Sequence, residues 1–257
     1  MFIDLAGVVY QGSALIPGAA EAVARLRTAG LPVRFLTNTT RTPRREIAAQ
    51  LAAMGIVLAD GDLFTPARSA CDWLAARGMT PHLLIHPALA EDFAECPRDG
   101  PLAVVVGDAG EAFSYAAMNA AFRTLAEGTP LLALARNRTF RDADGLLSLD
   151  AGAFVAGLEF AARTQALVLG KPAPEFYALA VASVGCRPNE VAMIGDDAEA
   201  DMAGALAAGL GGAVLVRTGK YRPGDERAFD PAPSAVADDL AGAVDWLLSR
   251  RAARAGG

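Results

Sequence analysis

The chain reads as an α/β protein, a doubly wound parallel sheet interrupted by a second α/β unit. Three observations predict this. Short apolar runs of strand length alternate with helix-length segments that close on glycine. Four of these runs lead into residues that carry chemistry: Asp4, Thr37-Asn38, Lys171 and Asp196-Asp197. From Pro81 to Arg163 the alternation starts afresh, as expected of an insertion.

The first strand is Phe2 to Leu5, a buried run that delivers the Asp4 carboxylate near its C-terminal end, where open α/β sheets place their chemistry. A helix follows from Ala19 to Ala29, opened by Pro17-Gly18 and closed by Gly30. Val33 to Leu36 is the second strand and leads into Thr37 and Asn38. Helices are predicted at about Pro43 to Met54, before Gly55, and Pro66 to Arg77, before Gly78. In the second unit, His82 to His86, Ala103 to Val106 and Leu131 to Ala135 are strands. Helices at about Tyr115 to Glu127 and Ala153 to Arg163 separate or follow them. The run Leu167 to Leu169 before Lys171, and Val191 to Ile194 before Asp196, are expected to resume the first sheet. A helix from Met202 to Ala208, a strand from Ala213 to Val216 and a last helix from Asp239 to Arg250 complete the pattern, with Arg251 to Gly257 a frayed tail.

Composition narrows the function classes. Fully 53% of the 257 residues are hydrophobic, so a substantial core can be buried. The net charge of -6 and the absence of a long basic run argue against a nucleic-acid partner. Lys171 and Lys220 are the only lysines beside 21 arginines, so a lysine at the third of these runs, Lys171, suggests a need for a compact point charge. Cys71, Cys96 and Cys186 are odd in number, far apart in sequence and without a Cys-x-x-Cys pair, which argues against a disulfide framework or a zinc site. No signal peptide fits before Asp4, and the longest uncharged stretch, Asp201 to Arg217, is too short and glycine-rich to span a membrane. A soluble cytoplasmic protein is expected, with no membrane partner.

Taken in order, the Asp4, Thr37-Asn38, Lys171 and Asp196-Asp197-Asp201 segments resemble the four motifs of the haloacid dehalogenase superfamily of aspartyl-phosphate hydrolases. The resemblance covers nearly the whole chain. About thirty residues separate Asp4 from Thr37, and the large insert lies between Thr37 and Lys171, which in that superfamily marks a type-two cap. The stretches Gly107 to Tyr115 and Val216 to Pro223 are similar to the phospholysine phosphohistidine inorganic pyrophosphate phosphatase group. The resemblance implies a doubly wound parallel Rossmann-like core, residues 1–80 and 166–257, with an inserted α/β cap domain, residues 81–165. It also implies a Mg²⁺ cofactor, a small phosphorylated substrate and a possible homodimer.

Phosphoryl transfer needs a nucleophile in line with the leaving group and positive charge around the equatorial oxygens. The resemblance makes Asp4 the nucleophile, through an acyl-phosphate. Asp4, the Ala6 carbonyl and Asp196, with Asp197 beside it, are the candidate Mg²⁺ site; Asp197 and Asp201 would orient water or Lys171. Thr37, Asn38, Thr39 and Lys171 would hold the phosphate. Asp108, Glu111 and Asn137, at strand ends of the insert, are candidate substrate contacts, since such contacts come from loops placed over a fixed site.

Ala6 departs from the superfamily. An Asp usually stands there to protonate the leaving group and then activate water, work worth about 10²–10⁴-fold, or roughly 3–5 kcal/mol. Three readings stand. The substrates have good leaving groups, such as pyrophosphate, aryl phosphate or a protonated P–N bond. Or the chemistry is that of a phosphonate hydrolase or dehalogenase, against which stand the cap placement and the lack of a lysine between Asp4 and Thr37. Or the protein is a degenerate Mg²⁺ or phosphate binder, against which stand Asp4, Lys171 and Asp196 together.

Three look-alikes are set aside. Asp142-Ala143-Asp144-Gly145 lacks a preceding apolar strand and reads as a turn. Gly219-Lys220 lacks the earlier glycine of a phosphate-binding Walker loop. His82 and His86, four residues apart, fall on a strand rather than a helix and take structural or surface roles.

Overall fold

The computed structural model describes residues 1–141 and 146–255. Its strands are β1 (Phe2–Asp4), β2 (Tyr10–Gln11), β3 (Ala14–Leu15), β4 (Arg34–Leu36), β5 (Leu63–Phe64), β6 (Thr80–Leu84), β7 (Leu102–Val106), β8 (Leu131–Ala133), β9 (Thr139–Arg141), β10 (Leu147–Leu149), β11 (Leu167–Val168), β12 (Ala192–Gly195), β13 (Gly212–Val216) and β14 (Ala235–Ala237). The helices are α1 (Ala19–Thr28), α2 (Arg44–Ala53), α3 (Pro66–Ala75), α4 (Tyr115–Ala126), α5 (Ala151–Ala162), α6 (Pro174–Ala182), α7 (Gly204–Ala207) and α8 (Leu240–Ala255). Two compact units result: residues 1–37, 48–64 and 171–257 form the first, and residues 38–47 and 65–170 the second.

The first unit is built on a six-stranded sheet in the order β14-β13-β12-β1-β4-β5, parallel throughout. From β1 the chain winds outward through β4 to β5, then returns to the other side of β1 and winds through β12 to β14. The strand order therefore reverses between β1 and β12, the position where such sheets open a crevice at their carboxyl ends. Phe2 and Met193 pack on one face with Phe176, Tyr177, Ala180 and Met202. The other sides of β1 and β12 are equally buried at Ile3 and Ile194, so these strands are apolar on both faces. Helix α1 buries Ala19, Ala22, Val23 and Leu26, one stripe at helical spacing, and packs on α8. Each large apolar side chain enclosed this way contributes about 1.5–3 kcal/mol.

The second unit carries a parallel sheet in the order β11-β8-β7-β6. Val104, Val106, Leu131 and Ala133 meet Ala121 and Leu125 of α4 and Val155 and Leu158 of α5. These helices begin where the sequence offers side-chain acceptors: Ser114 takes the Ala117 N–H and Asp150 the Ala151 N–H. Thr65 does the same for α3, with Pro66 at the first helical position.

Several expectations are corrected. The Leu167–Val168 strand does not return to the first sheet; it pairs with Leu132 and Ala133 in the second. Consecutive elements tend to be neighbours, and β11 comes back beside β8 after α5; an apolar run fits either sheet equally. The helix expected from Met202 begins earlier, as a wide π-type turn over Ala198–Ala203 that runs into α7. Helix α8 continues through Ala255, past the tail expected to fray from Arg251. His86 lies beyond β6, where its Nδ1 accepts the Ala88 N–H at 3.2 Å, while His82 meets Thr124 Oγ1 at 2.8 Å. The turn read at residues 142–145 lies outside the described residues. Among the described residues, no helix is long and apolar enough to cross a membrane.

Candidate active site

The first unit gathers four charged side chains at the carboxyl ends of β1 and β12. Asp4 closes β1 and Asp196 follows β12, so the pairing of the two strands sets the carboxylates side by side. Lys171 reaches both Asp4 Oδ1, at 2.5 Å, and Asp201 Oδ1, at 2.6 Å, from within the protein, its side chain 4% exposed. Asp4, Asp196 and Asp201 each offer a carboxylate oxygen within 4.8 Å of the others.

A close-packed loop holds Asp196 in place. Its Oδ2 accepts the Lys220 backbone N–H at 2.7 Å. Thr218 Oγ1 donates to the Gly7 carbonyl at 2.5 Å, which brings Gly7 and Gly219 against the same carboxylate. A Cβ on either glycine would collide with Asp196 Oδ2, and both have positive φ, so only glycine fits there. A Cβ on Gly195 would likewise collide with the Asp201 side chain.

Asp197 is oriented differently. Its Oδ1 accepts the Glu199 and Ala200 backbone N–H groups, at 3.1 and 2.9 Å, and caps the turn that carries Asp201. Its Oδ2 takes the Lys220 ammonium at 3.0 Å. Asp201 Oδ2 in turn accepts the Asp197 N–H at 3.3 Å. Tyr177, which no sequence motif marked, donates its hydroxyl to the Ala200 carbonyl and braces that turn.

The electrostatics follow from crowding and burial. Burial pushes Asp4 up, partly countered by Lys171 and reinforced by Asp196. It also raises Asp196 to about 6 and Asp201 to about 7, against the pull of the Lys220 N–H and of Lys171 respectively. Burial disfavours the charged form of Lys171, but Asp201 and Asp4 outweigh it and keep the ammonium protonated. Asp197 is held below the usual carboxylate range, because the Ala200 N–H and Lys220 overcome its burial. Three buried carboxylates around one buried ammonium leave negative charge in excess. Such an all-oxygen donor set fits a hard divalent cation such as Mg²⁺.

The remaining candidates are placed as follows. Ala6 lies beyond β1 with its side chain exposed, bridged to Tyr10 through the backbone. Thr37 is buried in the first unit, its N–H directed at the Phe64 carbonyl. Asn38 and Thr39 are half-buried in the second. There Asp108 receives two bonds from Arg41, Nε to Oδ2 at 2.5 Å and Nη2 to Oδ1 at 3.1 Å. Asn137 and Glu111 are exposed, and the Asn137 carbonyl accepts the Gly152 N–H. The ion pair borders a cavity of about 590 Å³ walled by the stacked Phe113 and Phe154 rings. Sequence reasoning missed Arg41, whose signal is diluted among 21 arginines. It flagged Lys220 by its rarity and within the Val216 to Pro223 stretch, without its partners.

Comparison with known proteins places the chain in a family. The haloacid dehalogenase-like hydrolase model matches residues 1–97, and a second, HAD-hydrolase-like, model matches residues 168–243. The phospholysine phosphohistidine inorganic pyrophosphate phosphatase of Rattus norvegicus is 41% identical over 254 residues, covering 96% of this chain and 93% of that protein. Among solved structures, a p-nitrophenyl phosphatase from Archaeoglobus fulgidus shares the fold with a TM-score of 0.84 at 22% identity, covering 95% of this chain and 97% of that one. A glycerol phosphate phosphatase from Mycobacterium tuberculosis, solved in complex with magnesium, has a TM-score of 0.79 at 28% identity and covers 93% and 74%. The chain belongs to the haloacid dehalogenase-like hydrolases.

Proposed function

We propose that the protein is a Mg²⁺-dependent phosphohydrolase that works through an aspartyl-phosphate on Asp4 and favours substrates with good leaving groups. The observation that carries the reading is the Lys171 ammonium bridging Asp4 and Asp201, with Asp196 beside them, at the reversal point of the sheet. Asp4 and Asp196, with the Ala6 carbonyl, would hold the ion, which when bound neutralises charge on the phosphoryl oxygens. Asp197, committed to its turn and to Lys220, would support that site from behind.

In this reading Asp4 Oδ2 attacks phosphorus while Oδ1 stays on Lys171. The bond from phosphorus to the leaving group breaks, and the leaving group departs with the electron pair. Lys171, Thr37, Asn38 and Thr39 hold the phosphoryl oxygens. Water then attacks the phosphorus of the aspartyl-phosphate, releasing phosphate and restoring Asp4. Residues 81–165 would serve as the cap domain and residues 1–80 and 166–257 as the core, with Asp108 and Asn137 as the cap's candidate substrate contacts.

Ala6 offers no proton to the leaving group, so pyrophosphate, aryl phosphates and protonated P–N compounds suit the site better than alkyl esters. The name of the rat relative includes pyrophosphate, phospholysine and phosphohistidine, which fits that preference. The test is phosphate release from imidodiphosphate, pyrophosphate, p-nitrophenyl phosphate and an alkyl phosphate, with Asp4→Asn as control. Mg²⁺-dependent release from the first three, little from the alkyl ester and only background in the mutant is the expected result. Release that survives Asp4→Asn would overturn the mechanism. Mg²⁺ binding without turnover would make the protein a binder, and aldehyde or halide release would assign it another chemistry.

A further inference from the structure

The cysteines take no part in the proposed reaction, yet two of them are not apart in space. Cys71, on α3, and Cys96, past the 3-10 turn Pro87–Phe93, bring their Sγ atoms to 2.9 Å, with Cys96 the donor. Cys71 Sγ in turn donates to the Asp92 carbonyl at 3.3 Å. All three cysteines are free thiols. The sequence separation that argued against a disulfide is thus overcome by the packing of the 86–96 segment on α3.

That segment is anchored. His86 caps its start, and the Asp92 carboxylate oxygens each accept the Arg44 backbone N–H at 3.2 Å. The two sulfurs therefore face each other from held positions. A disulfide bond is about 2.05 Å long, so closure needs a sulfur movement of only about 0.9 Å. Cys71 is half-buried and Cys96 is 7% exposed, so Cys71 is the sulfur a small reagent meets first in this reading. Among the described residues, Asp4, Asp196 and Asp201 make the only group of three or more potential metal ligands, so the thiol pair is no part of such a group.

We propose that Cys71 and Cys96 form a reversible intramolecular dithiol–disulfide couple that exchanges with small disulfides such as oxidised glutathione. The Cys71 thiolate attacks one sulfur of the reagent, whose S–S bond breaks and releases a thiolate that takes up the proton Cys71 lost. The Cys96 thiolate then attacks the Cys71 sulfur and displaces the second reagent thiolate, which takes the Cys96 proton. Two protein thiols lose two electrons and two protons, and the reagent leaves as two thiols. Burial raises both thiol pKa values, so the exchange is slow at neutral pH. The bond closes a loop between positions 25 residues apart and restricts the unfolded chain.

The test incubates the full chain with oxidised glutathione, then blocks remaining thiols, digests and maps the peptides by mass spectrometry. Free thiols are expected to fall from three to one, with Cys71 linked to Cys96 and Cys186 blocked. The intact mass should drop by two hydrogens. The thermal midpoint should rise by about 5 °C or more and return with dithiothreitol. Cys186→Ser should keep the link. Cys96→Ser should leave glutathione on Cys71 and abolish the rise; should that variant not fold, the wild-type and Cys186→Ser maps decide. Three free thiols after treatment, glutathione retained on wild-type Cys71, or a link involving Cys186 would each overturn the proposal.

Discussion

Ala6 concentrates the chemical question on one methyl group. Its side chain is exposed, two residues beyond the buried Asp4, so a carboxylate there has room. Ala6→Asp is therefore expected to fold normally and to raise turnover of alkyl phosphates on the order of 10²-fold or more. Good leaving groups, which need no proton, should gain little. Parallel kcat measurements on an alkyl and an aryl phosphate check this, and an equal gain on both would sink the leaving-group account. The neighbouring carboxylates differ for an equally local reason. Asp196 is pressed between two glycines and one N–H, whereas Asp197 has two backbone donors and a lysine.

At the scale of elements, the turn after β12 divides the work of the acidic cluster. Asp197 caps it and Asp201 points from it to Lys171. Removing the cap with Asp197→Ala should cost about 0.5–2 kcal/mol in chemical denaturation. Asp197→Asn keeps an acceptor and should cost less. If Asp197 supports the metal site from behind, Asp197→Asn should weaken Mg²⁺ binding by calorimetry far less than Asp196→Asn does; equal losses would make it a direct ligand. The sequence placed three aspartates after one strand, and the resemblance gave the metal to Asp196 with Asp197 beside it and Asp201 in a supporting role. Their roles depend on where the first turn begins, and it begins at Ala198 because Asp197 supplies the acceptors.

For the whole molecule, the buried negative excess predicts linkage between ion binding and stability. Mg²⁺ at about 100 times its Kd should stabilise the protein by about 2.7 kcal/mol, read as a rise in the thermal midpoint. Asp196→Asn should lose most of that rise, and a wild-type midpoint indifferent to Mg²⁺ would count against the site. Much of this site was legible in advance, because a parallel sheet delivers strand-end residues to one edge. The apolar runs before Asp4 and Asp196 therefore announced neighbours that are far apart in the chain. By itself the sequence determined the alternating α/β architecture, the insertion and the residues that carry charge to the sheet's edge, since strand and helix periods and helix ends are local properties. Only the tertiary structure decided that β11 joins the second sheet, that Arg41 pairs with Asp108, that Lys220 serves Asp196 and Asp197, and that Cys71 meets Cys96. Each of these is a contact between segments distant in the chain, and local pattern holds no information about which distant partner packing will supply.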